Sequence, residues 1–220
     1  MTIQETEVLI IGSGVLGVAT ARELSKYKVD VTLVEKEADV GWGITKANVA
    51  IVCQGMDCLV FRKEYHRSKL VWESIPMMEP LCKELDVPFK RIGQLALLRD
   101  LGDMRPYSKL KRKQEEWIPH VGSQQFIDRE TLRSWEPNVT RKAAGALYDP
   151  VMAVTDPVKL TIALAENAKQ NGAKIMLETE VLNISHGVGE FEVKTNNDTI
   201  KSRFIVNAAG EYVDKVAAMV

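Results

Sequence analysis

At 220 residues, with 29 Lys and Arg against 30 Asp and Glu and a formal net charge of −1, the chain is long enough for one large or two small domains. The balance of charge excludes the basic footprint of a nucleic-acid binder. Three cysteines, Cys53, Cys58 and Cys82, with no C-x-x-C pair, point away from a disulfide scaffold, and no metal site is expected. The longest uncharged stretch, Val8 to Ala21, covers 14 residues and falls well short of a membrane span. No transmembrane segment, signal peptide or transit peptide is therefore expected, and a cytoplasmic placement is, with peripheral contact at the inner membrane face left open.

The acidic N-terminus runs into Val8-Leu9-Ile10-Ile11, a short apolar run of the kind that forms a parallel strand buried on both faces. Gly12-Ser13-Gly14-Val15-Leu16-Gly17 follows at once and spells G-x-G-x-x-G. In such a turn Gly12 makes the bend, Gly14 admits a pyrophosphate close to the backbone, and Gly17 lets the helix lie close to the sheet. The phosphates would meet the backbone N–H groups of Val15 and Leu16 at the helix start. The helix is expected over about 15–27, and Val29 to Val34 reads as the returning strand. It ends at Glu35, 18 residues after Gly17, where a carboxylate can accept hydrogen bonds from adenosine ribose hydroxyls and repel a 2′-phosphate. The expected ligand is FAD or NAD, not NADP.

A polar loop with Gly41, Trp42 and Gly43 leads through Thr45-Lys46-Ala47-Asn48 into the apolar run Val49 to Cys53. An NAD-binding unit would show another strand–helix repeat here instead. From about 59 to 85 the recurrence of Val71, Ile75, Met78, Cys82 and Leu85 predicts a helix, which Pro76 and Pro80 are expected to kink or restart. His66, on that charged helix, is expected to be a solvated surface residue. Phe89 to Leu98 reads as one strand with a kink at Gly93, and 103–119 as a charged helix whose basic run Lys109 to Lys113 is expected to be a solvated face. Asp128 starts a short helix stopped at Glu136-Pro137, and Ala144 to Tyr148 is a strand. Asp156-Pro157 is an N-cap followed by a proline at the first helical position, and the helix stops at Gly172. Strands are expected at 174–184, 190–195 and 200–206.

The glycine turn, the Val34-Glu35-Lys36-Glu37 strand end, Thr45-Lys46-Ala47-Asn48, and the downstream Asn207-Ala208-Ala209-Gly210 together resemble the FAD-dependent oxidoreductases of the D-amino-acid oxidase type. The branch most similar is that of the glycerol-3-phosphate dehydrogenase flavin subunit and the L-2-hydroxyglutarate oxidases. The resemblance implies an α/β fold, a Rossmann-like FAD-binding domain with an inserted, incomplete α+β substrate domain. It divides the chain into a first FAD-binding part at 1–86, a partial substrate domain at 87–149, and a second FAD-binding part at 150–220. The implied FAD contacts are Gly12, Gly14, Val15, Leu16, Gly17, Glu35, Lys36, Thr45, Lys46, Ala47, Asn48, Val181, Ala209 and Gly210.

The implied function is oxidation of a small hydroxylated substrate, glycerol 3-phosphate first, by hydride transfer to flavin, with the electron acceptor unknown. An L-2-hydroxy-acid or amino-acid oxidase is the alternative. A further one is a truncated FAD-binding module or subunit, completed by a partner chain, because members of the family are considerably longer. No residue is assigned as catalytic. Several members of the branch carry a histidine where this chain has Cys53, which is expected to be a buried packing thiol. Arg91 and Gln94 are the polar candidates for the substrate-facing side of the inserted sheet.

Overall fold

The computed structural model describes residues 3–53, 65–100, 102 and 124–220. The chain opens with strand β1 (Ile3–Ile11), helix α1 (Val15–Leu24) and strand β2 (Val31–Val34). Then come a 3-10 turn at Ile44–Ala47, the two-residue β3 (Ile51–Val52) and the long α2 (Tyr65–Glu84). Next follow β4 (Phe89–Arg91), β5 (Gln94–Leu98), β6 (Gln125–Asp128), α3 (Arg129–Trp135), β7 (Gly145–Asp149) and β8 (Ala153–Thr155). The chain continues through α4 (Pro157–Gln170), β9 (Lys174–Met176), β10 (Val181–His186), β11 (Phe191–Thr195) and β12 (Thr199–Asn207). A 3-10 turn at Gly210–Tyr212 and α5 (Val213–Ala217) close the series.

Two compact units result. The first comprises Met1–Val49, Leu85–Val87 and Asp156–Val220; the second comprises Ala50–Glu84 and Pro88–Thr155. The first crossing from one unit to the other comes at 49/50, while the family resemblance implied a division after 86. Residues 50–84 are drawn into the second unit because β3 pairs with β8 and α2 packs on β4.

In the first unit, a six-stranded sheet runs in the order β10-β11-β12-β1-β2-β9. β1 is parallel to β12 on one side and β2 on the other, β9 is parallel to β2, and β10 to β12 form an antiparallel meander. Central position explains the unbroken apolar run of β1, where Leu9 and Ile10 are fully buried. α1 packs on α4. Arg22, buried between them, donates from Nε to Asn167 Oδ1 at 3.0 Å and pairs with the Glu23 carboxylate at 3.0 Å, so its charge is not left unpaired inside the layer. Asp156 caps α4 as its sequence predicts, its Oδ1 accepting from the N–H groups of Val158 and Lys159.

The second unit holds two three-stranded sheets, β3-β8-β4 and β5-β7-β6. The expected single strand at 89–98 is split between them. Gly93, at φ +68, makes the break, and a Cβ there would sit 2.5 Å from Tyr148 Cε2. Ile127, Leu132, Ala143 and Ala146 form a small core against which Leu95, Val139 and Tyr148 pack. α2 runs unbroken through Pro76 and Pro80, contrary to expectation. Both prolines lie on its exposed side, so neither ring has to be packed into the core, while Trp72, Ile75 and Cys82 are buried on the other. The expected strand at 174–184 is likewise two, β9 and β10, parted by a turn in which Glu178 takes φ +50. The helix expected at 103–119, with its Lys109–Lys113 run, Cys58 and the start of the 59–85 helix lie outside the described residues.

Candidate functional site: a dinucleotide cradle at the strand ends

Register brings the motifs together. Ile11 of β1 is aligned with Val34 of β2 and with Asn207 of β12, so Gly12, Glu35 and Ala208 leave three adjacent parallel strands at the same edge. The carboxyl ends of parallel strands are where open α/β sheets bind ligands. Backbone bonds tie the three exits: Gly12 N–H donates to Val34 O and Ala208 N–H to Ile11 O, each at 2.9 Å.

The first and third glycines are required by contacts within the chain itself. Gly12 has φ +102, and a Cβ there would lie 2.5 Å from Ala208 O. A Cβ at Gly17 would lie 1.9 Å from Gly12 O and 3.5 Å from the Ala208 methyl. Close contact of turn, helix and the Asn207–Gly210 segment leaves no room for side chains. Gly14 differs: the nearest atom to its would-be Cβ is Thr45 Oγ1 at 3.4 Å, so its surroundings stay open on the ligand side of the turn.

The loop from Gly41 to Asn48 lies against this turn. Gly41 N–H donates to Ser13 O at 3.0 Å and Lys46 N–H to Gly41 O at 3.1 Å, which folds 41–46 over the start of α1. Thr45 Oγ1 accepts from Val15 N–H at 3.1 Å. α1 has no side-chain cap from Gly14 and no acidic residue in its first turn, so the Thr45 hydroxyl serves a donor at an otherwise electropositive helix start. Leu16 is exposed beside it, and the Lys46 ammonium sits 4.9 Å from the centre of the Trp42 ring. Ala47 ends the 3-10 turn and Asn48 N–H donates to Thr45 O at 3.2 Å.

Glu35 is held firmly. Its Oε2 accepts from Ser13 N–H and from Ser13 Oγ, both at 2.7 Å, and its Oε1 accepts from Glu37 N–H at 3.0 Å. Three of the four or so acceptor positions of the carboxylate are thus used among the described residues, two on Oε2 and one on Oε1. Its backbone is pinned by Met176 O and Thr179 N–H, which is why the turn after β9 matters to this edge.

Lys36 stands 4.2 Å from the centre of the Tyr212 ring, which Lys215 approaches to 5.1 Å. Partial desolvation disfavours the Lys36 ammonium, but the Tyr212 oxygen and the Glu37 carboxylate outweigh it and hold the pKa above the ordinary lysine range. Ala209 and Gly210 follow β12 into the 3-10 turn that carries Tyr212. Val181 opens β10 opposite Thr195 and packs, like Ala209, against the core cluster that includes Ile11 and Val34, while both backbone groups of Glu180 are engaged by Asn196.

The sequence reading missed Ser13, Gly41, Trp42 and Tyr212. Ser13 was legible in principle, since a hydroxyl between two motif glycines is well placed to meet the acid at the end of β2. Cys53 is exposed, not buried as expected. It follows a two-residue strand at the edge of its sheet. Cys82 is the buried thiol, its Sγ 3.6 Å from Thr155 Oγ1. Arg91 pairs with Glu79 at 2.7 Å, and Gln94 and His66 are exposed. Among the described residues no cluster of His, Cys, Asp and Glu is placed to hold a metal ion, and no helix is long and apolar enough to cross a membrane.

The residues present fit a dinucleotide: a helix start with no side chain at Gly14 and the Thr45 hydroxyl on Val15 N–H for a pyrophosphate, and a carboxylate held at the neighbouring strand end for a ribose. The profile of the FAD dependent oxidoreductase family matches residues 7–220. The chain belongs to that family. A glycerol 3-phosphate dehydrogenase of Caloramator mitchellensis is 40% identical over 215 residues, covering 97% of this chain and 44% of that protein. A glycerol 3-phosphate oxidase of Mycoplasma pneumoniae is 32% identical, over 98% of this chain and 56% of its own length. Among solved structures, dithionite-reduced L-alpha-glycerophosphate oxidase from Mycoplasma pneumoniae with FAD bound superposes with a TM-score of 0.84 at 30% identity, covering 99% of this chain and 57% of that one. L-proline dehydrogenase from P. horikoshii gives a TM-score of 0.86 at 27% identity. This member of the FAD dependent oxidoreductases spans about half the length of the relatives it matches.

Proposed function

We propose that the first unit binds FAD and that the chain is the dinucleotide-binding portion of a dehydrogenase or oxidase acting on glycerol 3-phosphate. The observation that carries the first part is the convergence of Gly12, Glu35 and Ala208 at one edge of the sheet, with Thr45 across the start of α1. Glu35 would hold the adenosine ribose, the first turn of α1 with Thr45 the pyrophosphate, and Lys36 and Tyr212 the flank of the adenosine. Bound FAD supplies the acceptor for a hydride from the substrate C–H bond; the residues here orient it and exclude solvent. The second unit is read as part of the substrate domain.

Glycerol 3-phosphate as substrate is supported by the 40% and 32% identities to its dehydrogenase and oxidase. That support is associational, because substrate specificity resides in sites and not in folds. A second reading has its own observation: with about half of the relatives' length present, the chain acts as an FAD-binding subunit completed by another polypeptide. The electron acceptor and a peripheral membrane placement stay open proposals. The test is anaerobic mixing of the FAD-loaded protein with glycerol 3-phosphate, L-2-hydroxyglutarate and dimethylglycine in turn. Bleaching of the flavin by glycerol 3-phosphate alone is expected. Bleaching by another substrate in its place would overturn the assignment, and none by any of the three would favour the subunit reading.

A further inference from the structure

Among the described residues Ala50, Asp86 and Glu178 are the non-glycine positions with positive φ, and Glu178 takes φ +50 in the turn after β9. A residue with a Cβ keeps such a backbone only where its surroundings hold it there. For Glu178 the hold comes from the β11–β12 turn. Its carbonyl oxygen accepts from Asn196 Nδ2 at 3.0 Å and from Asn197 Nδ2 at 3.1 Å, one side-chain amide for each lone pair. Asn196 also pairs with Glu180: its Oδ1 accepts from Glu180 N–H at 2.8 Å, and its own N–H donates to Glu180 O at 3.0 Å. The turn that presents the two asparagines is itself fixed. The buried Thr195 hydroxyl donates to Asp198 O at 2.8 Å and accepts from the N–H groups of Asn197 and Asp198 at 3.2 and 2.9 Å.

The segment these amides hold leads directly to the acid of the cradle. Thr179 N–H donates to Glu35 O at 2.7 Å and Glu178 N–H to Glu37 O at 3.0 Å. Glu37 N–H in turn donates to Glu35 Oε1 at 3.0 Å. One route thus ends on the backbone of Glu35 and the other on its carboxylate. Both lie past the regular pairing of β2 with β9, whose register ends at Val34 and Met176, one residue before Glu35. The position of the acid therefore depends on the left-handed turn at Glu178, and that turn depends on the two asparagines.

We propose that Asn196 and Asn197 are positioning residues for Glu35, holding the Glu178 turn so that the carboxylate meets the vicinal hydroxyls of an adenosine ribose. The inference rests on the reading that Glu35 receives the ribose of FAD, and extends that site to a turn about 160 residues away in sequence.

The test compares Asn196→Ala and Asn197→Ala, singly and together, in the 220-residue chain with Glu35 intact and with Glu35→Gln. Amide hydrogen exchange at Glu37 and Thr179 in the ligand-free chain should quicken by about tenfold in the double variant. FAD titration should show affinity weakened by about fivefold when Glu35 is present, and by less than about twofold when it is glutamine. Gly172→Ala, a strained change with nothing near its new methyl, destabilises the chain without reaching the clamp and should bind FAD as the unsubstituted chain does. Urea midpoints identify a variant that fails to fold; Asn197→Ala, which keeps the Asn196 bonds to Glu180, is then the deciding one. Equal losses with and without the Glu35 carboxylate, or unchanged exchange at Glu37 and Thr179, would overturn the proposal alone. An unsubstituted chain that takes up no FAD would overturn it together with the cofactor reading, so the two failures are distinguishable.

Discussion

Ser13 and Glu35 form the most consequential side-chain contact of the cradle, because they decide which acceptor positions face a ribose. Glu35→Gln keeps the shape but replaces a charge-assisted acceptor of two bonds by an amide. The expected result is FAD binding weaker by roughly tenfold to a hundredfold, the equivalent of about 1.5–3 kcal/mol, read by fluorescence titration. Thr45→Val leaves Val15 N–H without its oxygen and should cost about 1 kcal/mol of stability, with Thr45→Ser restoring it in urea melts. The glycines separate by their surroundings. Gly17→Ala drives a methyl into Gly12 O and should destabilise by about 3 kcal/mol or more. Gly172→Ala, at φ +98 with nothing within 4 Å, should cost only about 1 kcal/mol, from its left-handed backbone. The motif spelled out Gly12, Gly17 and Glu35 because each answers a local demand. The partner of Glu35 was legible only in principle, since a serine in a glycine turn has many other uses.

Among the elements, strand ends and turns carried what the periodicity could not show. Apolar runs gave β1 and β2, and the Asp-Pro pair gave the start of α4. The breaks at Gly93 and Glu178, however, depend on pairing with strands far along the chain. Hydrophobic content alone cannot separate one bent strand from two, nor tell that prolines on a solvent-facing helix side leave α2 intact. The β7–β8 turn yields a pH prediction. Asp149 is buried, and desolvation raises its pKa above 3.8 despite bonds from Val151 N–H, Gln124 and the Met152 backbone. A carboxyl whose folded pKa is raised favours the fold most when protonated. Its contribution is full below the unfolded pKa and is lost as pH rises through the folded value. Asp149→Asn should therefore flatten that segment of the stability–pH curve, measured by urea unfolding across the acidic range, and a slope left unchanged would contradict the assignment.

For the molecule as a whole, the dinucleotide cradle lies entirely within the first unit, built from its two sequence-distant segments, 1–49 and 156–220. That closure rests on the pairing of β1 with β12, nearly two hundred residues apart in sequence, which the sequence pattern suggested only through its family resemblance. Substrate recognition was less legible: Arg91 is engaged with Glu79, Cys53 stands exposed, and half of the relatives' length has no counterpart in this sequence. The central claim is accordingly that the 220-residue chain carries a sufficient FAD cradle. Its most direct test is a visible absorption spectrum of the purified chain during titration with FAD. The account predicts a saturable, perturbed flavin band, one FAD per chain, lost in Glu35→Gln at the same concentrations. A folded chain that leaves the flavin spectrum unchanged would contradict it.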